Sequence, residues 1–212
     1  CVIADQAVID ALEGFAAVAP AHNPPYANGI RQFAKSLPKA KLVALFETAF
    51  YQWNSGASYN YAIPKSWRDI GIRRYGFHGA SHKFIAERSA ELCEHEEAGQ
   101  IARRLYLDGP QPVSGKPFRV VSCHLGGFSS VTGILNGVAI GTSMGFSPQS
   151  GLPQNNRVGD LDSGAIPYAM RTLGLSLDEA ERQLTKESGL LGISGISNDI
   201  RDINEAAASG NK

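Results

Sequence analysis

Residues 118–141 constrain the fold more than any other stretch of this chain. The run 118–123 reads as a strand, Gly126-Gly127 follows, and 129–135 and 138–141 read as two more strands. Asn136-Gly137 separates the last two. Both residue types tolerate positive φ, which a two-residue type I′ turn demands twice, so this pair predicts a tight hairpin. The unit is strand, glycine turn, strand, hairpin, strand. Backbone N–H groups in the glycine turn are free to face an anion. Ordinary hairpins carry glycines too, so the turn alone names no ligand.

The other segments predict a mixed α/β chain. Residues 41–46 form an apolar run bounded by Pro38 and Glu47, read as a buried strand with an acid at its end. Ser81 suits the N-cap of a helix to about Cys93, with Phe84, Ile85 and Leu92 on its buried side. Residues 94–116 are polar with glycines and prolines and read as a linker or insertion. The last third reads as helical. Ser176-Leu177-Asp178-Glu179 is a capping box, Gly189 suits a C-terminal cap, and Ser197 suits the next N-cap.

Composition removes several function classes. Twenty Lys and Arg balance twenty Asp and Glu, so no global field draws in nucleic acid or an anionic membrane. No apolar run approaches the roughly 20 residues that span a bilayer. No basic segment followed by an apolar one opens the chain, and both ends read as truncations. Three cysteines, Cys1, Cys93 and Cys123, lack metal-type spacing and suit a reducing cytoplasm.

The densest chemistry lies in Arg73-Arg74-Tyr75-Gly76-Phe77-His78-Gly79-Ala80-Ser81-His82. Cations, imidazoles and glycines just before a helix suit a phosphate or carboxylate. His78 and His82, four apart, would share a helical face as metal ligands do. No third ligand accompanies them, so no metal site is assigned, and His82 reads as a helix-start residue bonding backbone. Arg157 has Asp160 and Asp162 as candidate partners, the alternative being a surface arginine. Glu47 is either a cap or a functional carboxylate.

Four segments occur together in order: Arg73–His82, Ser122–Gly127, Thr142–Pro148 and Ser188–Gly195. With Ala19–Pro24 and Asp199–Asp202 they resemble the acetate kinase family of the sugar kinase/actin/heat-shock ATPase superfamily. The resemblance spans most of this chain and about half of a typical member. It implies an α/β fold of two actin-like (ribonuclease H-like) lobes, 1–100 and 117–212, with the boundary near 94–116 or a hinge earlier, near residue 50, and a cleft that closes on ligand. It implies reversible transfer of the ATP γ-phosphoryl group to acetate or a similar short-chain carboxylate, giving acyl phosphate, with Mg²⁺. A cytoplasmic homodimer is the implied form. His78 and Arg157 match residues that contact the transferring phosphoryl group, with Glu47 a third catalytic position. His22, Phe77 and Pro148 match the substrate pocket. His124, Leu125, Gly126, Gly127 and Phe128 match the phosphate-binding loop, and Asp199, Ile200 and Arg201 the adenosine end.

The departures are specific. Family members carry Asp at Glu47, His at Tyr51, Asn at Gly127, Gly at Phe128, and Gly-Thr before Arg157 where this chain has Asn155-Asn156. Ala21 replaces a larger apolar residue of the acyl pocket. The family's Asn-x-Gly-Ser-Ser loop, its carboxylate-binding arginine and its later Gly-Gly segment and Glu are not among these residues, so the chain by itself is expected to be inactive. Phe128 motivates a pyrophosphate-dependent alternative. Glu47, Gly127 and Phe128 together motivate a non-catalytic paralogue that binds nucleotide or acyl phosphate.

Overall fold

A computed structural model of the chain describes residues 1–16, 19 and 22–211. The strands are β1 (Val2–Ile3), β2 (Val43–Ala44), β3 (Arg119–Leu125), β4 (Ser129–Leu135) and β5 (Val138–Thr142). The helices are α1 (Gln6–Gly14), α2 (Asn23–Ser36), α3 (Gly56–Tyr59), α4 (Lys65–Asp69), α5 (Gly79–Leu92), α6 (Glu96–Asp108), α7 (Ala165–Leu173), α8 (Leu177–Lys186), α9 (Gly189–Ser194) and α10 (Ile200–Ala208), with a 3₁₀ turn at Ala49–Tyr51.

β3, β4 and β5 form an antiparallel sheet in that order, in the register the turns imply: Leu125 faces Ser129, and Leu135 faces Val138. Asn136 and Gly137 have φ of 52° and 81°, as a type I′ turn requires. A Cβ on Gly137 would lie 2.6 Å from the Ala98 carbonyl oxygen. The hairpin tip is therefore pressed against α6, and only glycine allows that approach.

That contact corrects the linker reading of 94–116. Most of the segment is α6, and its face Ala98, Ile101, Ala102 and Leu105 is buried. These residues recur at helical spacing, with Glu96 and Glu97 in the first turn. Flanking glycine and proline masked the pattern. Ile101, Ala102 and Leu105 join Phe50, Tyr51, Ala86, Ile134 and Ala139 in the core between the helices and the sheet.

α5 is confirmed as a helix but buries a different face. Gly79, His82, Ala86 and Ala90 point inward, while Phe84 and Leu92 are 62% and 67% exposed. Small side chains win because the neighbours come close: a Cβ on Gly79 would lie 2.1 Å from the Glu47 carbonyl oxygen, and one on Gly99 3.6 Å from the Ala90 Cβ. The run 41–46 yields only β2, paired antiparallel with β1, and Val43 is 60% exposed. A single two-residue partner leaves that strand uncovered, so the buried-strand reading is corrected.

In the last third, the Ser176 hydroxyl accepts the Glu179 N–H at 3.2 Å, as a capping box begins. Glu179 does not reciprocate, because Arg182 and Gln183 hold its carboxylate. Gly189 opens α9 instead of capping α8, and Gly195 is the left-handed cap of α9. Asp199, not Ser197, caps α10. The three cysteines are exposed and unpaired. Among the described residues, no helix is long and apolar enough to cross a membrane.

Candidate active site

His78 owes its place to backbone constraints on both sides. It is a non-glycine residue in the left-handed region, φ 59°, immediately before α5. Such a conformation costs on the order of 1–2 kcal/mol and is typical of residues over-determined by their surroundings. Tyr75 N–H donates to the Gly145 carbonyl at 2.9 Å, and Gly79 N–H donates to the Glu47 carbonyl at 3.0 Å. Tyr51 donates its hydroxyl to the Phe77 carbonyl at 2.6 Å. The loop after β5, the Glu47 turn and the 3₁₀ turn thus fix one short segment from three directions. Burial pushes the Tyr51 hydroxyl up to about 12, so it stays a donor.

Three imidazoles meet here. The rings of His78 and His124 stack with centroids 4.0 Å apart. Ser130 Oγ is 2.8 Å from both His78 Nδ1 and His82 Nε2, and Ser122 Oγ is 2.8 Å from His82 Nδ1. His124 Nδ1 lies 3.0 Å from Ser81 Oγ. Burial first, then the adjoining imidazoles and, for His78, Arg157, pull His78 and His82 down to about 4, so both are neutral near pH 7. His82 is fully buried and bonds side chains of β3 and β4, which corrects its reading as a backbone-bonding residue. Among the described residues, no group of three or more His, Cys, Asp or Glu is arranged to hold a metal.

Arg157 is held differently from expectation. Asp160 accepts from Gly151 N–H and Asp162 from Gly164 N–H, and neither pairs with the guanidinium. Instead Arg157 donates to the Pro148 carbonyl at 3.3 Å, and its guanidinium carbon sits 3.7 Å from the centre of the Phe128 ring. Half-burial lowers its hold on the proton, but a guanidinium remains cationic near neutrality. The Pro148 carbonyl is itself held by the Gln154 amide at 2.9 Å. Residues 154–157 are clamped to the start of α9, where Leu190 N–H donates to Gln154 and Leu191 N–H to Asn155. Gly189, φ 63°, is required at that clamp: its Cβ would lie 2.0 Å from the Gln154 carbonyl oxygen.

These groups line one cavity of about 1050 Å³, which takes in His22, Glu47, Phe77, His78, His124, Phe128, Pro148 and Arg157. The structure therefore brings together eight residues named from the sequence. Leu125, Gly126 and Gly127 are not on its wall, and Leu125 is 72% exposed, because β3 extends through Leu125 and shortens the turn. Asp199, Ile200 and Arg201 are also off the wall; Asp199 and Arg201 pair with each other at the exposed start of α10. Ala21, expected in the acyl pocket, lies outside the described residues. Sequence reasoning gave Ser81 only a capping role and assigned no site role to Ser122 or Tyr75, whereas Ser130, a candidate donor beside the glycine turn, bonds His78 and His82. The alternation of Ser122 with His124 on one strand face was the available signal for Ser122.

Comparison with known proteins follows the same outline. The Acetokinase family model matches residues 1–107 and 110–212. Acetate kinase 2 of Listeria monocytogenes serotype 4b is 42% identical over 208 residues, covering 98% of this chain and 48% of that protein. Propionate kinase of Yersinia enterocolitica is 43% identical over 206 residues, covering 97% and 46%. The crystal structure of Porphyromonas gingivalis acetate kinase superposes with a TM-score of 0.81 at 34% identity, over 99% of this chain and 48% of that one. A propionate kinase from Francisella tularensis gives 0.83 at 34% identity, over 99% and 49%. The chain spans about half the length of the curated relatives it matches. Its architecture is the α/β actin-like ATPase fold of these kinases, and the chain belongs to the Acetokinase family.

Proposed function

We propose that the protein to which these residues belong transfers the γ-phosphoryl group of ATP reversibly to acetate or a similar short-chain carboxylate. A carboxylate oxygen forms the new bond to phosphorus as the bond to the departing ADP oxygen breaks. The observation that carries this reading is the convergence of neutral His78, neighbouring His124 and cationic Arg157 on one cavity beside apolar Phe77 and Pro148. Phosphoryl transfer needs mainly positioning and charge stabilisation over the equatorial oxygens, and donors of this kind supply both. Mg²⁺ takes few protein ligands and otherwise binds phosphate oxygens and water. Glu47, the carboxylate on the cavity wall, suits that role. The proposal includes two lobes, whose boundary falls before the core that Phe50 and Ala86 share with Ile134 rather than at 94–116, a homodimeric assembly and a cytoplasmic location.

The test is hydroxamate trapping of acyl phosphate by the full-length parent with acetate, propionate or butyrate, each with ATP or pyrophosphate. Product with ATP supports the proposal. Product with pyrophosphate alone replaces the donor, and nucleotide binding without product identifies a non-catalytic paralogue. The chain of 212 residues by itself is expected to yield no acyl phosphate.

A further inference from the structure

Ser122, His82, Ser130 and His78 form a continuous hydrogen-bonded line from the sheet interior to the cavity wall, each link 2.8 Å. The first three are almost wholly buried, at 2%, 0% and 0% exposure. A serine hydroxyl has a single hydrogen. Ser130 could accept from both rings, but its own buried hydrogen would then have no acceptor among the described residues, so it donates to one ring and accepts from the other. Two neutral arrangements satisfy this. In one, Ser122 donates to His82 Nδ1, His82 Nε2–H donates to Ser130, and Ser130 donates to His78 Nδ1, leaving the proton of His78 on Nε2. In the other every link is reversed, and His78 Nε2 is a bare lone pair.

The buried end decides between them. Among the described residues, Ser122 Oγ has His82 as its partner and no other. The reversed line would leave its buried hydroxyl hydrogen without an acceptor, and an unmet buried donor costs about 1–3 kcal/mol. The forward line uses that hydrogen. We infer that Ser122, His82 and Ser130 are positioning residues that hold His78 as the neutral Nε2–H tautomer, presenting a hydrogen-bond donor to an anion in the cavity. The depressed proton affinity of both imidazoles accords with neutral rings throughout. A neutral donor of fixed direction recognises a phosphoryl oxygen without needing to gain a proton. This inference rests on the phosphoryl-transfer reading for its use, but not for its existence.

The tautomer is directly measurable. Long-range ¹H–¹⁵N spectra of the histidine-labelled full-length parent near pH 7 separate pyrrole-like from pyridine-like ring nitrogens. His78 is expected to show pyrrole-like Nε2 and pyridine-like Nδ1, and His82 the same. In Ser122→Ala the His78 pair should shift toward intermediate values, and Ser122→Thr should restore them. A proton on His78 Nδ1 in the parent chain overturns the inference, and that measurement needs no variant. A signature unchanged by Ser122→Ala overturns it as well. Acyl phosphate formation is scored separately, so the expected tautomer without product would defeat the function and leave the relay standing.

Discussion

Removing the ring of Phe128 tests how this chain holds Arg157. The guanidinium carbon lies 3.7 Å from the ring centre in a half-buried setting, with no carboxylate partner among the described residues. Cation–π attraction amounts to about 0.5–1 kcal/mol when exposed and about 2 kcal/mol when desolvated, so about 1–2 kcal/mol is appropriate here. If the ring orients Arg157 toward the transition state, its loss lowers kcat about 5- to 30-fold, since about 1.4 kcal/mol corresponds to tenfold. Phe128→Leu keeps apolar bulk without the ring face and should show that loss in hydroxamate-trapped turnover by the full-length parent. Phe128→Tyr keeps the face and should stay closer to the parent than the leucine variant does. A Phe128→Leu enzyme with unchanged kcat refutes the platform. So does a Phe128→Gly enzyme faster than the parent, which would make the ring an obstruction in the phosphate turn.

Tyr51→Phe removes the donor to the Phe77 carbonyl and the 3.2 Å contact with Thr132. About 2 kcal/mol should be lost, lowering the thermal midpoint by about 4–8 °C; a shift within about 1 °C refutes the account. Gly189→Ala forces a left-handed φ of 63° on a side chain that meets the Gln154 carbonyl at 2.0 Å. It should cost more than the 1–2 kcal/mol or so of conformational strain alone, and calorimetry would read it. Ser176→Ala should cost about 1 kcal/mol of stability in urea titration, through loss of the α8 cap. His78 and His82, lowered from 6.5 to about 4, contribute stability that is present above pH 6.5 and lost as pH falls toward 4, because the unfolded chain binds protons first. Denaturant midpoints should therefore fall from pH 7 to pH 5, less steeply in His82→Gln; equal slopes would contradict the buried neutral pair.

The sequence by itself determined the elements whose signals are local. Asn136-Gly137 dictated the hairpin because both residues accept positive φ, and the register of β4 and β5 followed from it. The ordered segments around His78, His124 and Arg157 determined the family and marked part of the cavity wall. What the sequence did not disclose was set by proximity between distant residues. Helix α6 was hidden by its flanks until the hairpin tip docked on Ala98 and Ala102. The buried face of α5 was chosen by close backbone approach at Gly79, against the pull of Phe84 and Leu92. Arg157 took an aromatic ring and a carbonyl in preference to two nearby acids, since Asp160 and Asp162 were already occupied by backbone donors. The direction of the proton on His78 depends on Ser122, more than forty residues away, and only the pairing of β3 with β4 beside α5 places that hydroxyl in line.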